Sequence, residues 1–428
     1  MSSDNSSIII HLKRAWMDKD ASSFKQLLDE HPELKKRINE PVAAFDSPLV
    51  VQARSREMLD VLLDAGADIN ARSKWWAGGF GLLDSASPEL ASYAIERGAI
   101  VDAHSASRLG LLSRLQEILS ARPDLVNARG GDGQTPLHFA GTVEVAEYLL
   151  GHGAIIDMLD VDHESTPAQY MVRDRQEVLH YLIHRGCKTD ILMAAALGDL
   201  SLARRHLEEN PECVRIRVNK QYFPMQNKKA GGTIYQWTLG FNISSHEVAK
   251  QFGHQEVFDL LMRSSPPGVK LIVSCWLNDE AGVKTLLREQ DGLAARLMES
   301  YARQVADAAR NNNASAVRLM LTATLPVQAT GQHGATPLHW AAFHGNTEMI
   351  KVILPYKPPL EVLDADFHST PLGWAIHGSE HGWYCRTGDY AGTVAALLEA
   401  GAKPPEIIGG SAQVQEVLRS RGEGAKRG

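Results

Sequence analysis

Between Gly334 and Leu354 the chain reads GATPLHWAAFHGNTEMIKVIL. A Thr-Pro-Leu-His start runs into small and apolar residues, a Gly-Asn break follows, and a second apolar run closes the stretch. Apolar residues at helical spacing on either side of a breaker predict a helix, a short turn and a second helix. The same pattern recurs at Asp46–Asn70, Gly133–Ala154, Glu164–Gly186 and Ser244–Met262, and again from His368 to Ala402 with its two halves further apart. Stretches beginning at Ile8, Ala103, Ile191 and Leu271 carry a looser variant: helix, break, helix, irregular exit. Thr135 and Thr166 are 31 residues apart and Thr336 and Thr370 are 34 apart. Self-similarity at this period predicts stacked repeats, about twelve of them. In each full copy the Thr can N-cap the first helix, and Pro takes the first helical position, where its missing N–H costs nothing. A Gly at the end suits a left-handed C-cap. One such unit cannot bury its apolar face alone, so stacking on neighbours must supply the core.

DGQTPLHFA, GATPLHWAAFHGNTE and LLDAGADIN resemble the ankyrin-repeat family, whose pattern is a D-G-x loop, T-P-L-H-x-A-A, a G-x-x-E turn, an apolar L-L run and a terminal G-A. With the degenerate copies included, the resemblance covers about residues 8 to 403. It implies an all-α solenoid of stacked helix pairs. It also implies that His138 and His339, in the T-P-L-H position, are structural and bond to the backbone of the next loop. The expected organisation is an N-terminal repeat half at 8–218, an insertion at 219–243, a C-terminal repeat half at 244–403, and a cap and tail at 404–428. TPLGWAIHGSEHGW further resembles a recurrent pattern in uncharacterised bacterial ankyrin proteins, which supplies no activity.

Composition narrows the function. With 44% apolar and 22% charged residues the chain is globular, not disordered. A net charge of −7 gives no electrostatic case for nucleic acid or an anionic membrane. Cys187, Cys213, Cys275 and Cys385 form no C-x-x-C pair, which points to a reducing compartment. No secretory signal or stretch of roughly 20 apolar residues is present, so a cytoplasmic protein is expected.

Function is sought where the array departs from its own rule. In the first departure, Asn219–Asn242, VRIRV and TIYQWTL alternate like strands around the turn-forming NKKAGG, predicting an extended β-hairpin near the middle of the chain. It gathers Tyr222, Phe223, Tyr235, Trp237 and Phe241 with Lys220, Lys228 and Lys229. The second, Ser379–Tyr390, places about ten extra residues between two helices and brings His381, Trp383, Tyr384, Cys385, Arg386 and Asp389 toward His377 and His344. The third is KWWAGGFG, with Trp75 and Trp76 beside a glycine stretch.

Two functions are consistent with these features. One is a scaffold that holds a protein partner on the concave face through the aromatic insertions, since Trp, Tyr and Arg are frequent anchors at interfaces. The alternative is an enzyme or small-molecule binder with a pocket between the central hairpin and the C-terminal insertion, using His377, His381, Tyr235 and Asp389 for acid–base chemistry. No cofactor is expected. DVDHES (Asp160–Ser165) and DADFHS (Asp364–Ser369) hold metal-ligating residue types, but Asp-x-Asp turns cap their own backbone there. His377, His381 and Cys385 are four apart and would share a helix face, but Gly378 and Gly382 interrupt them and predict a loop. No metal is therefore expected, and His381 and Trp383 are expected to line a pocket or concave surface with His377 hydrogen-bonded nearby.

Overall fold

Thr-Pro pairs set the repeat boundaries through local hydrogen bonds. The computed structural model describes residues 11–424 apart from 291, 294–296 and 298–299. Ile8 to Ile10 of the first loose repeat, parts of the loose repeat that starts at Leu271, and the last four residues of the tail lie outside the described residues. Thr166, Thr336 and Thr370 are N-caps in extended backbone; each accepts from the N–H three residues on, with Pro167, Pro337 and Pro371 starting the helix. Thr135 takes the same place before Pro136–Phe139. At the other end of the repeats, Gly66, Gly98, Gly153, Gly186 and Gly401 hold φ between 87° and 104°, a conformation that a side chain would strain.

Helices stack in two rows. The chain divides into two compact units, residues through Leu197 with Val218–Gly240, and Gly198–Arg217 with Phe241 onward. In the second unit, Gln304–Arg310, Pro337–Phe343 and Pro371–His381 pack as a row of first helices. Ala314–Thr322, Thr347–Ile353 and Tyr390–Glu399 form the row of second helices. Ala341, Ala342 and Ala375 are fully buried, and their small size lets the rows approach; Met349, Ile350, Ile353, Val394 and Leu397 fill the space between. Each such aliphatic side chain is worth roughly 1.5–3 kcal/mol when removed from water, and most of that burial is supplied by the adjacent repeat. The last helix, Ala412–Gly424, packs on Tyr390–Glu399 and buries Val414 and Leu418 there. In the first unit the corresponding first-helix row is Ala103–Arg108, Pro136–Phe139, Pro167–Tyr170 and Tyr235–Thr238.

That last member corrects the expected hairpin. Among the described residues no strand forms; there are only isolated bridges at Ala43–Ser47 and Arg217–Ser244. Pro211–Arg215 is a 3-10 turn and Tyr235–Thr238 a one-turn α-helix. The buried apolar residues of TIYQWTL are Ile234, Tyr235 and Leu239, spaced one and four apart, with Thr233 buried beside them, while Trp237 is 70% exposed. That is one face of a helix, and across so few residues an alternating pattern satisfies both periods. The backbone groups that a hairpin would have paired with each other go to the preceding finger loop instead. Gly231 N–H donates to the Asp162 carbonyl and Ile234 N–H to Ser165 Oγ, while Gln226 and Asn227 N–H groups donate to the Glu164 carboxylate.

Candidate functional site

Two consecutive first helices in the second unit carry a tryptophan directly after the T-P-L-H position: Trp340 and Trp374. The position itself is occupied differently in the two. In the first, His339 Nδ1 accepts from Thr336 N–H and its Nε2–H donates to the Ser369 carbonyl, 3.0 Å away. His138 repeats this with Thr135 and the Ser165 carbonyl. These are the bonds to the next loop that the family resemblance implies, and burial holds both imidazoles below their ordinary pKa, His138 at about 3. In the second helix the residue is Gly373, where a Cβ would meet Ser369 Oγ at 2.2 Å.

The space beside Gly373 is a cavity of about 400 Å³. Its walls are Trp340, Phe343, Trp374 and Trp383, with Phe367, His333 and His377 at its edges. Trp340 and Trp374 meet edge to face at 5.0 Å, and Trp383 stacks on Trp340 at 6.0 Å. Trp374 Nε1–H donates to Asp364 at 2.9 Å, and His333 Nδ1 pairs with Asp366 at 2.7 Å. Burial would raise the Asp364 carboxyl, but the N–H of Phe367 and the Trp374 indole outweigh it and hold the pKa below the ordinary value. Trp340 Nε1–H is buried with no acceptor. Arg310 packs on the aromatic cluster without lining the cavity, its guanidinium 3.6 Å from the Phe241 ring centroid and 5.4 Å from that of Trp383; burial lowers its pKa to about 10. A volume in this range, aromatic walls and a few placed polar groups are what small-ligand and side-chain pockets share.

Residues of the Ser379–Tyr390 departure divide between this cavity and plain structural duty. Trp383 lines the cavity and is 60% exposed. His377 lines it, and His381 does not border it. The expected loop through these histidines is not formed: helix Pro371–His381 runs unbroken through Gly378 and stops at Gly382, so four of the extra residues lengthen the helix. Gly378 is tolerated because a methyl there would meet the Phe343 carbonyl at 2.5 Å. His377 and His381 therefore do share a face, with rings 4.9 Å apart. His344 stacks against Trp340 and Trp383 and meets Tyr384 edge-on at 5.1 Å; its Nε2–H donates to the Arg310 carbonyl, and burial takes its pKa down to about 4. Asp389 caps helix Tyr390–Glu399 and accepts from Thr347 Oγ1, which leaves it a structural carboxylate. Arg386 and Cys385 are exposed.

In the first unit the other two departures meet. Trp75 and Trp76 are half-buried with rings 6.3 Å apart, Trp75 Nε1–H donates to Asp162 at 3.2 Å, and the Lys229 ammonium sits 6.0 Å over the Trp76 ring. Lys228 is exposed. Tyr235 is wholly buried; its hydroxyl donates to Asp190 at 2.8 Å and Phe223 meets its ring edge-on. Burial, reinforced by Asp190, raises that phenol well above its usual pKa, which disqualifies it as a base near neutrality. Tyr222 is half-buried in the turn that starts at Asn219. Asp160 and Asp364 perform the turn chemistry expected of them, accepting from the N–H groups of His163 and Ser165, and of Phe367 and Ser369.

Trp340, Phe343, Phe367, Trp374 and His333 escape detection in the sequence because they occupy ordinary repeat positions that read as core. The available signal is the pair TPLHW and TPLGW in consecutive repeats, with Gly in place of His in the second.

Residues 103–193 and 305–404 match a family model described as ankyrin repeats (3 copies). No curated protein matches the chain. Among solved structures, the human ASB11 ankyrin repeat domain is similar at 17% identity over 72% of this chain and all of that one; its TM-score of 0.25 is too low to carry an argument. With the repeat matched on both sides of the irregular middle, and its capping histidine making the same bonds at residues 138 and 339, the chain carries ankyrin repeats over these two stretches.

Proposed function

We propose that the protein is a binding array whose C-terminal unit anchors a protein partner by inserting an apolar side chain between Trp340, Trp374 and Trp383. Ankyrin repeats are generally protein-interaction scaffolds, which supports the class. The observation that carries the finer reading is the aromatic cavity of about 400 Å³ bordered by a segment that a plain repeat does not need. One exposed wall, Trp383, is a side chain of the type that dominates interface energetics. The occupant that fits is a peptide segment with one aromatic or branched aliphatic side chain.

The test is selection of peptides from a displayed random library against the full chain, with affinities then measured by tryptophan fluorescence. Selected peptides should share an apolar anchor. Trp383→Ala should weaken them by about 30-fold or more, the loss of one interface hot spot, while leaving the melting temperature nearly unchanged. Selected peptides indifferent to Trp383→Ala would overturn the reading. A small apolar molecule is the second reading, favoured by the aromatic lining of the cavity. It gains if a metabolite screen raises the melting temperature of the wild type but not of Trp383→Ala, and no peptide binds.

A further inference from the structure

Asp132, Asp162 and His163 of the first unit are all buried, and each places a ligand atom within 4.8 Å of the other two. Among the described residues no other group of three potential metal ligands comes together this way. They come from two successive finger loops. Asp132 holds φ of 54° in the turn Gly131–Gly133, and its carbonyl accepts from Val161 and Asp162 N–H, which ties the loops in register.

The surroundings specify how each group faces. His163 Nδ1–H donates to the Gly232 carbonyl at 2.8 Å, so the ring's other nitrogen, Nε2, points toward Asp132, 3.6 Å from its Oδ2. A ligating histidine is usually oriented in this way, with its second nitrogen held by a backbone carbonyl. Asp162 is fixed by Gly231 N–H on one oxygen and by Trp75 Nε1–H on the other. Asp132 is only 8% exposed, and its Oδ1 has no hydrogen-bond partner. A buried carboxylate oxygen without a donor or cation is costly, and here it belongs to the same cluster as a second carboxylate.

We propose that Asp132, Asp162 and His163 bind one divalent first-row transition metal ion, in the manganese-to-zinc range. Two carboxylates and an imidazole suit such ions; the nitrogen ligand disfavours magnesium and calcium, and the absence of a thiolate disfavours copper(I). Bonds of about 2.1 Å to one tetrahedral ion put ligand atoms about 3.4 Å apart, a spacing that His163 Nε2 and Asp132 Oδ2 already approach at 3.6 Å. The ion joins two finger loops to the Gly231–Gly232 strap and to the Trp75 loop, and so orders the surface that carries Lys229 and Trp76.

The test is calorimetric titration of the tag-free full chain, stripped of metal, with Zn²⁺ and separately Mn²⁺. One equivalent should bind at micromolar affinity or tighter for at least one of the two. Asp132→Asn and Asp162→Asn should each weaken binding at least tenfold, with circular dichroism unchanged. His381→Ala, which breaks the His377–His381 pair in the other unit, should leave binding intact. Should the Asn variants fail to fold, Co²⁺ quenching of tryptophan emission in the wild type, reduced in Trp75→Phe, reports the same site. No saturable binding would overturn the proposal and leave His163 as the ion-pair partner of Asp132. Binding that persists in the Asn variants, disappears with His381→Ala, or quenches equally in Trp75→Phe would overturn it as well.

Discussion

Trp340 exposes a conflict that a single residue can resolve. Its indole is 3% exposed, stacks on Trp383, and keeps an N–H without an acceptor. Leaving a buried donor unpaired costs about 1–3 kcal/mol. Removing the donor while keeping an aromatic ring should therefore be close to neutral for the free protein, the lost ring volume offsetting the relieved penalty. Trp340→Phe is expected to change the unfolding free energy measured in urea by less than about 1 kcal/mol in either direction. A large loss of stability would mean that the lost ring volume outweighs the relieved penalty. Gly373 belongs to the same scale: a Cβ there would meet Ser369 Oγ at 2.2 Å, so the histidine of the preceding repeat has no counterpart in this one.

At the scale of elements, helix Pro371–His381 shows propensity and packing in opposition. Replacing a mid-helix glycine with alanine stabilises an isolated helix by up to about 1 kcal/mol. At Gly378 the added methyl would meet the Phe343 carbonyl at 2.5 Å and the Tyr390 ring at 3.0 Å, both from neighbouring helices that cannot move independently. Gly378→Ala should therefore lower the melting temperature, and a rise would show that the row of first helices has slack. The segment before helix Ser245–Gln251 carries a related lesson. Tyr235–Thr238 continues a helix row, so Tyr235 belongs to the core of its unit and is not an exposed anchor. Trp237, on the opposite face, remains on the surface.

For the whole molecule, buried neutral histidines link stability to pH. Burial lowers His138 and His246 to about 3 and His344 to about 4. The folded-state values lie below the ordinary 6.5, so the unfolded chain takes up protons first as pH falls. The stabilising contribution is complete above about pH 6.5 and is lost toward pH 4, at about 1.4 kcal/mol per pH unit for each histidine. Asp160 and Asp307, raised by burial, act in the opposite sense, so the clean measurement is a difference. Urea midpoints between pH 7 and 5 should fall less steeply in His246→Asn than in the wild type; identical slopes would refute the assignment. No helix among the described residues is long and apolar enough to cross a membrane.

What the sequence by itself determined is the set of features made by residues a few positions apart. Thr336 caps its own helix, Pro337 opens it, Gly401 ends another, and Asp160 ties up its own turn; each of these contacts spans at most a few residues, so its chemistry is visible in the letters. His138 was legible through the resemblance to ankyrin repeats, which implies its bond to the backbone of the next loop. The tertiary structure decided the rest. TIYQWTL fits a strand or a helix until Pro167–Tyr170 supplies a surface for it to stack on. Trp340 and Trp374 read as core residues until Trp383 arrives across them and closes a cavity between the three rings. Asp132 and His163 are unremarkable apart; their meeting depends on the register of two finger loops and on a carbonyl at Gly232, 69 residues along the chain from the imidazole that it orients. Local hydrogen bonds are encoded by neighbours in sequence, whereas cavities and ligand clusters are made where distant side chains are brought to one place, and burial alone selects which face of a short segment turns inward.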